Sequence, residues 1–274
     1  MNENKILFSK VCIVGVGLIG GSIGMGIKKK KLARLVVGVV RRKATIREAF
    51  QKKAVDVATL DLKGGVKGAD LVILCAPVSV IASQLKMIAP HLKKGAVVMD
   101  VGSSKALIEK EAKKYLKKNL FVGCHPMAGS EATGVQNASA DLFEKSVCFL
   151  TKQNPGIFKL WRSLGSTPVL MSAEAHDAWA AKASHLPHVL AFSLFQDFKA
   201  LSSKIPLNPS LQEFKRLAKS NPELWADILL SNKKNVTALI QKTQQHLTSF
   251  HKTLTSNDRL RLIRLIRNAS QNTP

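Results

Sequence analysis

The chain has 274 residues, of which 46% are hydrophobic and 5% aromatic, enough for one large domain or two modest ones with a real core. Lys and Arg number 42 against 18 Asp and Glu, a formal net charge of +24. That excess would suit nucleic-acid binding. The lysines, however, are scattered over helix faces and ends, aromatics are sparse and no nucleic-acid-binding motif is present, so the charge reads mainly as solvated surface and no nucleic-acid partner is expected.

The first apolar segment, VCIVGVGLIGGSIGMGI (residues 11–27), is uncharged and flanked by Lys10 and by Lys28 to Lys31. Its length and flanks raise a membrane anchor or a signal peptide. Six glycines within it weaken any spanning helix, each by up to about 1 kcal/mol relative to Ala, and no small-residue cleavage site follows. The same glycines have a positive meaning. Val11 to Val14 are strand-like, and Gly15-Val16-Gly17-Leu18-Ile19-Gly20 fits G-x-G-x-x-G at a strand-to-helix turn. In that motif the first Gly turns the chain, the second admits a pyrophosphate and the third lets the helix pack on the strand. A dinucleotide is therefore expected at Gly15, Gly17, Leu18, Ile19 and Gly20, and no membrane partner. The lysines that follow suit the negative end of a helix dipole.

Strand-like runs continue at 35–40, 70–77, 96–102, 120–126, 146–151 and 167–172, separated by amphipathic segments such as IASQLKMIAPHL and KALIEKEAKKYLKK. This alternation predicts an α/β fold with a doubly wound, mainly parallel sheet over residues 1–172. Beyond residue 173 no convincing strand remains. The long segments starting at Ala175, Pro222 and Asn257 read as helices, broken at the prolines of LNPS and SNPE, so 173–274 is expected to be an all-helical domain that completes its core by dimerising. The second strand ends at Val40 and is followed by Arg41-Arg42-Lys43, where an NAD protein usually carries an acid for the ribose hydroxyls. Arg41 and Arg42 suit a 2′-phosphate better, because guanidinium pairs bidentately with phosphate; NADP is favoured over NAD.

Three later stretches concentrate polar groups. DVGSSK (100–105) puts Ser103 and Ser104 at a strand's carboxyl end, where open α/β sheets bind ligands. GCHPMAGSEATG (123–134) puts His125 at the end of the next strand, able to accept a proton near neutral pH. HDAWAAKASHLPH (176–188) carries His176, Asp177, His185 and His188, but lacks the Cys or second close carboxylate that would argue for a metal, and none is expected. Cys12, Cys75, Cys124 and Cys148 are widely spaced in apolar runs and read as buried reduced thiols of a cytoplasmic protein.

Taken in order, GVGLIGGS, DVGSSK, CHPMAGSEATGVQNASADLFE, HD followed by SHLPH, and RLAKSNPELWADI resemble the prephenate/arogenate dehydrogenase family of tyrosine biosynthesis, over residues 11–232. HPMAGSE and SHLPH are far more specific than the glycine loop. The resemblance implies a dinucleotide-binding domain followed by a helical dimerisation domain in a homodimeric enzyme. It also implies oxidative decarboxylation of prephenate or arogenate: hydride leaves C4, the 4-hydroxyl loses its proton and the ring carboxylate departs as CO2. His125 matches the family base. Ser103 matches the serine that orients it and touches cofactor, Arg216 the arginine that binds the ring carboxylate, and Glu131 an acidic residue at the site mouth. His185 and His188 are implied to line the pocket, with Trp225 packed near the arginine.

The sequence also departs from the family. Where relatives commonly show F-R-D-x-T-R before the arginine, LQEFKR puts Gln212 and Glu213 at the R and D positions. No part of the 274 residues is expected to form the extra regulatory domain of many relatives or a mutase domain, so tyrosine inhibition would have to act at the active site. Two other readings fit the glycine loop: a hydroxyacid or imine reductase of the same two-domain plan, and a non-catalytic dinucleotide-binding regulator. Neither calls for His125, Ser103 and Arg216 together.

Overall fold

The computed structural model describes residues 6–129, 132–196 and 208–271. Its strands are β1 (Phe8–Val14), β2 (Ala33–Val39), β3 (Val57–Thr59), β4 (Leu71–Leu74), β5 (Val97–Asp100), β6 (Leu120–Pro126), β7 (Val147–Leu150) and β8 (Thr167–Leu170). They form one sheet in the order β3-β2-β1-β4-β5-β6-β7-β8. Every pairing is parallel except β6 with β7. The first six strands thus follow the doubly wound order, whose direction of winding reverses between β1 and β4. The glycine loop opens at that reversal.

Helices α1 (Leu18–Lys29), α2 (Lys43–Gln51), α3 (Leu62–Val66), α4 (Val78–Ile88), α5 (Ala106–Tyr115) and α6 (Pro155–Ser163) connect the strands. Alternate residues of β1 enter different layers, as a period-two strand buried on both faces requires. Val11 and Ile13 join Ile23, Ile27 and Trp161 in one core, while Cys12 and Val14 join Ile81, Leu85 and Ile108 in the other. Each such fully buried Ile or Leu contributes roughly 1.5–3 kcal/mol. Residues 11–27 are thus a central strand, a turn and a buried helix, not an anchor. Among the described residues no helix is long and apolar enough to cross a membrane.

Beyond β8 the described chain is helical: α7 (Ala173–Ala180), a π-helical turn (Ala181–His185), α8 (Leu186–Leu194), α9 (Pro209–Ala218), α10 (Pro222–Ser231), α11 (Lys233–Thr255) and α12 (Arg259–Gln271). The Asn-Pro pairs start helices as well as separating them. Asn208 and Asn221 accept from the amides of Leu211 and Leu224 at 2.8 and 2.9 Å, and each following proline occupies a first-turn position that needs no amide donor. Three features differ from the sequence reading, the first being α9, which lies outside the segments expected to be helical. β3 is absent from the apolar runs because it is a three-residue edge strand, held by pairing with β2. The stretch from Pro222 that read as one helix breaks at Asn232, whose φ of −118° and ψ of 25° leave the helical region.

Candidate active site

The glycine loop divides into residues the protein needs and a residue it leaves free. Gly15 has φ of +100°, and a Cβ there would lie 2.6 Å from the Cys75 carbonyl oxygen. A Cβ on Gly20 would lie 2.1 Å from the Gly15 carbonyl oxygen, whereas one on Gly17 would meet nothing within 4 Å. Gly15 and Gly20 therefore serve the turn and the strand–helix contact. Gly17, immediately before α1, faces open space. It supplies no side-chain cap, and the first turn of α1 contains no acid. The leading amides, including those of Leu18 and Ile19, are thus suited to an external anion. An open position before a helix that nothing else caps fits a pyrophosphate. Arg41 and Arg42 stand exposed just past β2, with Arg42 directly before α2.

The parallel strands bring the ends of β1, β4, β5 and β6 to one edge, and polar chemistry gathers at the far side of it. His125, the penultimate residue of β6, places Nδ1 2.9 Å from Nε2 of His176 on α7. Nδ1 of His176 is in turn 2.9 Å from the Asp177 carboxylate. That carboxylate also accepts from the backbone amides of Lys105 and Ala106 at 2.7 and 2.9 Å, capping α5. The fully buried Lys105 ammonium donates to the Asp100 carboxylate and, at 2.8 Å, to the Cys124 carbonyl. Burial pushes the Asp100 carboxyl up, opposed by Lys105. Burial also holds His125 well below the ordinary histidine value, with His176, Lys105 and His185 acting in the same direction. His125 is therefore a neutral imidazole at physiological pH.

Ser103 is half-buried on the loop after β5. Among the described residues no hydrogen bond joins it to His125; the group at Nδ1 is His176. The neighbouring Ser104 donates to Ser231 at 2.8 Å, and the Ser79 amide meets the Asp227 carboxylate at 3.3 Å. Both contacts tie the sheet's edge to α10.

The π-helical turn and α8 carry the other two histidines. Asn232 Nδ2 donates to the Asp177 carbonyl at 2.8 Å and lies 3.2 Å from His185 Nδ1, while its Oδ1 accepts from Asn235 at 2.8 Å. His185 Nδ1 is consequently an acceptor, and burial pulls this histidine down to about 4. His188 donates from Nδ1 to the Ser184 carbonyl at 2.9 Å and stacks on Trp225 with centroids 3.5 Å apart and planes 21° from parallel. His185 meets the same indole edge-on at 6.1 Å. Arg216, on α9, is exposed and donates to Glu213 at 3.1 Å. It lies near enough for its charge to lower the His188 pKa. His185, Trp225 and His188 are thus joined by ring contacts, with Arg216 in electrostatic reach of His188 and His185 in electrostatic reach of His125. Glu131 lies outside the described residues. Among the described residues no group of three His, Cys, Asp or Glu is arranged to hold a metal ion.

The sequence reading gave no role to Asp100, Lys105 or Asn232 and left His176 and Asp177 unassigned beyond the metal question. Two charged residues bracketing the small polar run of DVGSSK were the visible signal for the first pair. Asn232 had none.

Residues 23–157 match the nucleotide-binding domain of prephenate dehydrogenase, and residues 172–268 match its dimerization domain. Over 257 residues the chain is 32% identical to the prephenate dehydrogenase of Lactococcus lactis subsp. cremoris, covering 91% of this chain and 72% of that protein. The chain belongs to the prephenate dehydrogenase family. It is also 33% identical to the cyclohexadienyl dehydrogenase of Zymomonas mobilis, over 82% of each chain. The fold matches the crystal structure of A. aeolicus prephenate dehydrogenase in complex with hydroxyphenyl propionate and NAD+, with a TM-score of 0.85, 27% identity and 96% of each chain covered. Like its family, the chain is a nucleotide-dependent oxidoreductase of the prephenate/arogenate dehydrogenase type. In its dimerisation domain Leu230, Leu247, Leu254, Leu260 and Ile266 are exposed.

Proposed function

We propose that this enzyme oxidatively decarboxylates prephenate, arogenate or both, giving 4-hydroxyphenylpyruvate or tyrosine, with NADP preferred over NAD, and works as a homodimer through its helical domain. The observation that carries the reading is His125 at the carboxyl end of β6, 2.9 Å from His176, in a sheet whose winding reverses at the glycine loop.

In this reading Gly15, Gly17 and Gly20 and the amides of Leu18 and Ile19 hold the pyrophosphate. The nicotinamide supplies the hydride acceptor when bound. His125 takes the proton of the 4-hydroxyl, as a neutral imidazole within reach of that oxygen can. Arg216 fixes a substrate carboxylate, exchanging its exposed partner Glu213 for the ligand. His185, His188 and Trp225 contact the substrate, and Ser103 sits beside the cofactor. Glu131, outside the described residues, is assigned to the substrate by the family resemblance alone. Loss of CO2 restores aromaticity, so the protein's part is to align the ring and accept one proton.

Preference for NADP rests on Arg41 and Arg42 in place of a strand-end acid. Steady-state kinetics with prephenate and arogenate, each crossed with NAD and NADP, tests the whole reading. Turnover of at least one pair, with higher kcat/KM for NADP, is the expected result. Arg41→Ala is expected to weaken NADP selectively. Equal loss for both cofactors would remove the 2′-phosphate assignment, and failure to turn over either substrate would remove the function. Sedimentation analysis is expected to give a dimer; a monomer would refute that part.

A further inference from the structure

We propose that Asp177 and His176 form a positioning relay that fixes the tautomer of His125, holding the proton on Nδ1 and leaving Nε2 bare to accept the substrate's proton. The inference rests on the assignment of His125 as the base, and goes beyond it by naming what makes that nitrogen basic in the right place.

The hydrogen bonds have one consistent direction. Asp177 is an acceptor at both oxygens, since the amides of Lys105 and Ala106 can only donate to it. A carboxylate engaged this way favours an N–H at the nearest imidazole nitrogen, which is His176 Nδ1 at 2.9 Å. A neutral His176 with its proton on Nδ1 has a lone pair on Nε2. The group facing that lone pair is His125 Nδ1 at 2.9 Å, so it carries the hydrogen. The opposite direction would put a bare His176 Nδ1 against a carboxylate oxygen, or require His176 to be a cation. Lys105 already places a fully buried positive charge beside His125, so a second cation there would add both desolvation and like-charge cost.

The relay is anchored from several sides. The amides that hold Asp177 belong to the start of α5, so the carboxylate is fixed by a helix N-terminus from the sheet half of the molecule. The Asn232 side chain holds the backbone carbonyl of Asp177 from the break between α10 and α11. Phe149, from β7, packs edge-on against the His176 ring with centroids 5.5 Å apart and planes 68° from parallel. Rotation of His176 is thereby blocked. When His125 gains a proton at Nε2, the cation keeps its Nδ1–H on His176, whose own N–H points to the Asp177 carboxylate. The arrangement parallels other catalytic histidines oriented by a carboxylate, with a second imidazole interposed.

The test uses 15N-histidine-labelled full-length protein near neutral pH. Long-range 15N–1H correlations distinguish protonated from bare ring nitrogens. His125 and His176 are each expected to show a protonated Nδ1 and a bare Nε2, and a protonated Nε2 on His125 would overturn the proposal whether or not any variant folds. His176→Phe removes the acceptor while keeping a ring; kcat is expected to fall roughly 10²-fold with dinucleotide Kd unchanged. His176→Gln, which can present a carbonyl oxygen where Nε2 stood, is expected to restore part of that loss and the Nδ1–H signal. A His176→Phe enzyme with unchanged kcat would show a packing role only and refute the relay. Should His125→Asn leave kcat unchanged, the base assignment itself fails, an outcome separable from the tautomer measurement.

Discussion

Gly17 and Gly20 lie three residues apart in one motif, yet the structure assigns them opposite sensitivities. Adding a methyl at Gly20 forces a Cβ to 2.1 Å from the Gly15 carbonyl oxygen and 3.1 Å from the Ile13 side chain. The Gly15 carbonyl cannot yield without moving β1 or α1, so Gly20→Ala is expected to destabilise folding by about 1–3 kcal/mol or more. At Gly17 the φ of −101° lies outside the left-handed region, and the added Cβ touches nothing. Gly17→Ala is thus expected to cost less than about 1 kcal/mol, the scale of a lost helix cap preference. Its penalty falls on the ligand: a methyl where the pyrophosphate must approach is expected to weaken dinucleotide binding at least tenfold, or about 1.4 kcal/mol. Urea unfolding of both variants, with fluorescence titration of NAD and NADP, separates the two effects. A Gly17→Ala protein that binds both dinucleotides at wild-type affinity would refute the placement of the phosphates.

The remaining expectations divide by where each residue sits. His125→Asn is expected to lower kcat roughly 10²–10⁴-fold with little change in dinucleotide affinity; unchanged turnover in a stopped-flow assay would remove it as the base. Arg216→Ala is expected to raise KM by about 2–3 kcal/mol equivalent, toward the lower end for a charged pair because the side chain is exposed and already paired; a normal KM would put the carboxylate elsewhere. His185, held neutral with a pKa of about 4 against an ordinary 6.5, makes the unfolded chain the better proton binder between those values. Its stabilisation is complete above about pH 6.5 and is lost as pH falls toward 4, amounting to about 2.5 kcal/mol by pH 4.5. The stability difference between wild type and His185→Gln should therefore shrink on acidification, and a pH-independent difference in urea unfolding would contradict it.

How much of this was legible in the sequence depends on whether the cause is local. The glycine loop was readable because the change from strand to helix periodicity falls at residues whose backbone roles are set by their immediate neighbours. The Asn-Pro pairs at 208 and 221 were readable as helix breaks for the same reason, a proline without an amide, though not as the capped helix starts they prove to be. His125 was visible as a histidine at a strand end. Its partner was not, because His176 lies 51 residues away and reaches it only through the packing of α7 against the sheet. Asp100 and Lys105 bracket a short run, but nothing in their spacing says that both side chains turn inward and are fully buried. The break at Asn232 carries neither Gly nor Pro. It arises because the Asn232 side chain satisfies Asp177 and His185, a tertiary demand that overrides helix propensity.

The expected boundary at residues 172 and 173 falls at the start of α7, yet the polar frame around His125 is built from both sides of it. Asp177 comes from the helical segment and caps a helix of the sheet segment; Lys105 comes from the sheet segment and helps surround His125. Buried charged groups of this kind seldom maximise stability, since well-packed apolar side chains of similar volume commonly do as well or better. What they add is a fixed direction for each donor and acceptor. The other end of the site is different: Gly17 faces open space, Arg41 and Arg42 are exposed, and Arg216 sits on a surface helix. A rigid proton-accepting end joined to an accessible anion-binding end implies a division in the kinetics. Changes to His125 and His176 should appear in kcat, and changes to Gly17, Arg41 and Arg216 in the affinity for the nucleotide or the carboxylate. A variant set in which both groups altered the same constant would show that the two ends do not act separately.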